Sequence, residues 1–199
     1  NGAINGNSNV GGICGNLSSD SAIEKCMSST DIAGTADNVG GLVGYSANSN
    51  IVNSYVEDKK VDNKANYCGG IVGYIKDSEI EYCYSRANVS GQDSVGGIAG
   101  SSEGAASIKN SASLSKELNG SNKDNINKVL GKGNSNIISN SYSLNNTKIT
   151  VASEDSSSYS HKSNPLDGVE KESVSAIFNN IVLDSNIWIP TNGGCPTFK

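Results

Sequence analysis

Apolar residues return along this chain at a fixed interval. The phrases VGGICGN at 10–16, VGGLVGY at 39–45, CGGIVGY at 68–74 and VGGIAGS at 95–101 make Val10, Val39, Cys68 and Val95 equivalent, 29, 29 and 27 residues apart. A degenerate fifth copy, INKVLGKG at 126–133, follows after 31 residues and keeps the last glycine as Gly131. A second phrase trails each copy, starting at Ile23, Ile51, Ile80, Ile108 and Ile138. A third apolar point falls near Ile32, Val61, Val89 and Leu118.

These apolar segments are too short for helices, and a 3.6-residue period is absent. A repeat of this length with three short strand-like segments predicts one coil of a parallel β-helix, whose coils bury their apolar faces against their neighbours. The expected fold is therefore all-β: a parallel β-helix (β-solenoid) of about five coils with a C-terminal non-repeat cap or flap. Residues 1–150 form the repeats and 151–199 the cap segment. Equivalent residues should form ladders at the strand spacing of about 4.8 Å. Two ladders are expected to point inward: Ile13, Leu42, Ile71, Ile98 and Val129, and Ile23, Ile51, Ile80, Ile108 and Ile138. Glycine pairs such as Gly40-Gly41 and Gly69-Gly70 fit corners, where positive φ or a close backbone approach excludes Cβ. Asn53, Asn110 and Asn140, two residues after the inward isoleucine, are expected to bond backbone groups at a bend.

The repeat gives out after about residue 150. NGSNKDN at 119–125 and the Ser-rich stretch at 153–165 read as polar, solvent-facing segments. Residues 172–190 then bring the only Trp and a cluster of Ile, Val and Leu. SVSAIF reads as a short helix with Ser173 near its N-cap. The aromatic group Phe178, Trp188 and Phe198 is expected to cover the last rung, Val129 and Ile138, or the adjoining face.

Composition narrows the function. Net charge is −5 and Arg86 is the only arginine, which disfavours nucleic acid and acidic polysaccharides as partners. No apolar run approaches the roughly 20 residues that cross a bilayer. The chain opens on polar NGAINGNSN, with no visible signal peptide, so any export address would lie on sequence beyond it.

The pattern G-G-[LI]-x-G followed by I-x-N-S-Y resembles the GLUG motif of bacterial surface proteins, over residues 10 to about 150. That repeat also occurs beside the protease domain of some IgA-specific metallopeptidases. The ending WIPTNGGCPTFK resembles the W…G-x-P-x-L-K tail that often follows such repeats, with Phe198 in place of Leu. The resemblance implies an extracellular, cell-surface protein of a bacterium, and no enzymatic activity for the repeat itself.

Candidate chemistry is sparse. His161, the only histidine, lies in the Ser-rich stretch and reads as a solvated loop residue. No HExxH or CxxC is present. Cys14, Cys26, Cys68 and Cys83 occupy Val, Ala or Ser positions of the repeat, so mainly reduced, structural thiols are expected. Cys14–Cys26 is the best candidate for a bridge. The acidic groups Glu57-Asp58 and Asp77, Glu79 and Glu81 do not align on neighbouring coils, since Glu81 meets Val52 and Lys109, and they read as surface charge. Two tyrosine columns remain, Tyr45 with Tyr74, and Tyr55 with Tyr84 and Tyr142. They are the candidate ligand-binding residues, because exposed aromatics bind sugar faces or peptides, though such rings also stack simply as part of a solenoid.

The function expected is thus a non-enzymatic module acting as stalk or adhesin. It needs no cofactor or metal, has no catalytic residues and is a monomer. Its partner would be a host or cell-envelope glycan or protein. Two alternatives are a carbohydrate-active or carbohydrate-binding β-helix and the accessory region of a larger surface protease.

Overall fold

The computed structural model describes residues 2–152 and 161–199. The repeat forms a parallel β-solenoid. Each coil contributes five short strands rather than three, in the first coil Val10–Gly11, Cys14–Leu17, Ala22–Glu24, Met27–Ser28 and Asp31–Gly34. Equivalent strands stack into five parallel columns, of which the Asp31–Gly34 and Met27–Ser28 columns are six strands deep. The Met27–Ser28 column escapes a search for apolar periodicity because its inward residues are mostly serine. Its ladder runs Ser28, Val56, Ser85, Ser113, Ser143, each buried.

Both expected ladders form. Leu42 N–H donates to Ile71 O at 2.9 Å and Leu42 O accepts from Ile13 N at 2.9 Å; Ile71 and Ile98 continue the series to Val129. Leu42, Ile71, Ile98 and Val129 are fully buried, whereas Ile13 is 47% exposed. Ile13 departs from expectation because its coil has a described neighbour on one side only. The isoleucine ladder runs in register from Ile23 to Ile138. A third runs Ile4, Ile32, Val61, Val89, Leu118, Ile149. Burying each such side chain contributes roughly 1.5–3 kcal/mol, so the stack is held by its rungs.

The glycine pairs work by close approach, not by positive φ. A Cβ on Gly69 would lie 2.0 Å from Val72 O, and one on Gly70 would lie 2.1 Å from Gly97 O in the next coil. Positive φ falls instead on the residues that turn the corners. Lys25, Asn53, Tyr82, Asn110 and Asn140 form one such series, with φ between 46° and 53°. Asparagine tolerates this left-handed region better than most side chains, which accounts for the recurring Asn. These asparagines bond other side chains rather than backbone: Asn110 Nδ2 donates to Glu81 Oε1 at 3.0 Å, and Asn140 Nδ2 to Asn110 Oδ1 at 2.5 Å. One step on, Ser54, Ser111 and Ser141 accept backbone N–H bonds from Cys26, Cys83 and Ser111 of the preceding coil.

The last coil is closed by the segment that follows it. Strand Val169–Lys171 pairs with Tyr142–Leu144 and extends the stack by one rung, and Val129 N donates to Leu166 O. The polar loop expected at 119–125 contains the end of strand Glu117–Gly120 and a 3-10 turn, Lys123–Asn125. The helix expected near 173–178 forms at Val174–Phe178, with Ser173 Oγ accepting from Ala176 N at 3.1 Å. Much of the Ser-rich stretch expected to face solvent, 153–160, lies outside the described residues. Among the described residues no helix is long and apolar enough to cross a membrane.

Candidate functional site

The two tyrosine columns meet different fates. Tyr55 and Tyr84 stack at 4.8 Å with planes 13° apart, and the C-terminal segment lies over them. Trp188 packs at 5.9 Å from each ring, and Phe198 at 4.9 Å from both Tyr55 and Trp188. Tyr84 donates its hydroxyl to Pro196 O at 2.7 Å, and the Trp188 indole N–H donates to Asn53 Oδ1 at 3.2 Å. Burial pushes the phenols of Tyr55 and Tyr84 up. Tyr142, also buried, donates to Asn140 Oδ1 at 2.5 Å and lies under the Lys171 ammonium. The tail is thus a flap along this face, with its own short antiparallel pair, Trp188–Ile189 with Thr197–Phe198. No ligand can reach Tyr55, Tyr84 or Tyr142 while it stays docked.

The other column is uncovered. Tyr45 and Tyr74 stand on adjacent coils in register, with ring centroids 5.7 Å apart and planes 12° apart. Tyr67 meets the Tyr74 ring edge-on at 5.1 Å and 75°. All three are half-buried, so each keeps part of its surface in contact with solvent. Tyr67 holds φ at 63°, at a corner where equivalent residues are Asn9, Asn38 and Ser94. A bulky side chain in that region is uncommon, and Tyr82 takes it too, at 52°, so the conformation belongs to the corner. Sequence patterning missed Tyr67 because it stands outside both tyrosine columns; the signal was an aromatic residue at a position otherwise filled by small polar ones.

Charge fixes the corner in place. The Tyr74 hydroxyl donates to Glu103 Oε2 at 2.6 Å, while Lys76 Nζ bonds Glu103 Oε1 at 3.1 Å. Burial and the bond to Glu103 push the Tyr74 phenol up, and the bonds from Tyr74 and Lys76 hold the Glu103 carboxyl below its usual range. Along the same column the residue before Tyr45 is Asn16, exposed, and the one after Tyr74 is Ser101. The order Asn16, Tyr45, Tyr74, Ser101 therefore covers one face of the Tyr45 ring with Tyr74 and leaves the other toward a small polar side chain.

The remaining polar groups act as staples between coils. Arg86 pairs with Glu57 at 3.1 Å and with Asp58; Lys109 pairs with Glu79 at 2.5 Å. Asp77 accepts the Ala105 N–H at 2.7 Å, and Glu81 aligns with Val52 and Lys109. Among the described residues no group of three or more His, Cys, Asp and Glu side chains is arranged to hold a metal ion.

His161 is not solvated as its sequence context implied. Its Nε2 lies 2.9 Å from Asp167 Oδ2, and Asp167 is fully buried beneath the last coil, where it also accepts from Lys128 N and Asn164 N. The spacing of six residues brought these two together through a turn that composition did not reveal. All five cysteines are unpaired, so the Cys14–Cys26 bridge does not form; the Cys14 and Cys26 thiols donate instead to the carbonyls of Asn16 and Glu24. Cys68 and Cys83 are buried, which pushes both thiols up, Cys83 to about 12.

The GLUG motif family matches residues 35–61, so the chain carries a GLUG motif there. In three dimensions the chain is similar to the crystal structure of a putative immunoglobulin A1 protease from Bacteroides ovatus, at 26% sequence identity and a TM-score of 0.81. The similarity covers 97% of this chain and 64% of that one, so the chain spans less than two thirds of the protein it resembles. No curated protein matches it.

Proposed function

We propose that the chain is a non-catalytic GLUG β-helical module of a bacterial surface protein, a stalk that presents the Tyr45, Tyr67 and Tyr74 corner to an extracellular partner. One contrast carries this reading: the tail closes one tyrosine column, while the other is held rigid and left open. The carboxylates support it too, since Glu57, Asp58, Glu79 and Glu103 are each engaged by a cation rather than aimed in pairs across a groove. Hydrolases acting on glycans need two free carboxyl groups about 5–10 Å apart, flanking the scissile bond.

Surface labelling of intact cells and a turnover assay of the purified chain test the proposal together. The chain should be labelled from outside, and polysaccharide and peptide substrates should stay intact. Hydrolysis that disappears in His161→Ala or Glu79→Gln, or a chain reached only after lysis, would contradict it.

A second reading is favoured by the extent of the structural similarity: the module is an accessory region of a larger surface protease. In that case removing it from the whole protein should weaken substrate capture, raising KM, while kcat on a short peptide stays unchanged.

A further inference from the structure

The open corner has a geometry that selects its occupant. We propose that it binds an uncharged glycan, with one pyranose ring stacked on the free face of Tyr45 and its hydroxyls bonded by Asn16. The proposal rests on the reading above, that this corner faces an extracellular partner, and names the partner's chemistry.

Each part follows from the ladder. Tyr74 covers one face of Tyr45, at 5.7 Å and nearly parallel. On the opposite side the preceding coil offers Asn16, whose exposed amide has both donors and an acceptor. An aromatic face flanked by an amide suits a sugar, which has an apolar C–H face and a rim of hydroxyls; the C–H bonds meet the electron-rich ring. A flat ring floor that is already ordered also lowers the entropy lost on binding. Here the floor is fixed twice, by Tyr67 against the edge of Tyr74 and by Glu103 on the Tyr74 hydroxyl.

Charge decides which sugars. The cation beside the corner, Lys76, is already bound to Glu103, and the chain carries a net charge of −5. Among the described residues the exposed cation of this column is Lys132, three coils from Tyr45, so a uronate or sialylated ring on Tyr45 would meet the acidic field without a cation beside it. A neutral hexose or N-acetylhexosamine polymer meets no such barrier.

The test is calorimetric titration of the whole chain with cellotetraose, mannotetraose, xylotetraose and N-acetyllactosamine, with hyaluronan fragments as the acidic comparison. At least one neutral glycan should bind saturably. Tyr45→Ala should weaken it roughly tenfold or more, the scale of a lost aromatic contact. Tyr45→Phe, which keeps the face, should bind as the parent does, and Asn16→Ala should weaken binding less than Tyr45→Ala. Tryptophan fluorescence of buried Trp188 reports that each variant keeps its fold. Failure of every neutral glycan to bind, a preference for hyaluronan, or binding indifferent to Tyr45→Ala would overturn the proposal. A protein ligand captured at Tyr45 with no glycan binding would overturn it while leaving the surface-module reading intact.

Discussion

Lys128 Nζ ends 2.5 Å from a Glu170 carboxylate oxygen, although Lys128 occupies the position where the four preceding coils carry the second glycine of the pair. The same coil puts Asn127 in place of the first glycine, and Asn127 accepts from Asn164 Nδ2 at 2.6 Å. Asp167 accepts the Lys128 backbone N–H at 2.7 Å. The two residues that break the repeat are therefore those that grip the closing segment. The second glycine of each pair is tight against a carbonyl of the next coil, as Gly70 is against Gly97 O; where this strand column ends, Lys128 fits and holds the cap.

Lys128→Met should accordingly loosen the end of the stack. Lys128 is buried while Glu170 is partly exposed, so the loss should be about 1–3 kcal/mol, below that of a fully buried pair. Urea unfolding checks the magnitude. Hydrogen exchange should show the added opening confined to Val169–Lys171 and its neighbours.

Gly69→Ala should be more damaging than its one added methyl suggests. The new Cβ would stand 2.0 Å from a backbone carbonyl and 2.7 Å from Gly100 N, neither of which can rotate away. Overpacking of this kind typically costs about 1–3 kcal/mol and more where backbone must shift. Gly2→Ala, which meets nothing within 4 Å, is the control. Thermal melts of the two variants should separate clearly.

Native thiol counting should resolve two classes. Cys14 and Cys26 are half-exposed and should react with a maleimide within minutes. Cys68 and Cys83 are fully covered, with thiols pushed up by burial, and should react only on unfolding. Cys195, half-buried within the flap with its thiol raised mainly by burial, should be slow. All five should titrate in denaturant without reductant, since none is paired.

Acid should attack the cap first. Burial alone would raise the Asp167 carboxyl, but bonds from His161, Lys128 N and Asn164 N outweigh it and hold it below its ordinary value. A carboxyl depressed on folding contributes stability that is present above its unfolded value, about pH 4, and lost as pH falls through the lower folded one. Urea midpoints measured between neutral pH and pH 3 should fall more steeply in the parent than in Asp167→Asn. Equal slopes would show that Asp167 has no such linkage.

Much of this fold was legible because the solenoid repeats its burial. Leu42, Ile71 and Ile98 could be set on one ladder from spacing alone, as could Ile51, Ile80 and Ile108. The serine ladder from Ser28 to Ser143 could not, since buried serines facing glycines leave no apolar signal. Ile13 looked like its equivalents because exposure at a stack end depends on what lies next to it. The site was half legible. Tyr45 and Tyr74 stood out by register, but nothing local told them apart from Tyr55 and Tyr84. That distinction comes from Trp188, 135 residues from Asn53 in the chain and bonded to it in the fold.

The C-terminal flap closes one tyrosine column and leaves the other open. Hydroxyl-radical footprinting with peptide mass spectrometry measures this directly on the native chain. Tyr45, Tyr67 and Tyr74 should oxidise readily, while Tyr55, Tyr84 and Trp188 stay protected until the protein unfolds. Oxidation of Tyr55, Tyr84 and Trp188 at rates matching Tyr45 and Tyr74 in the folded protein would contradict it.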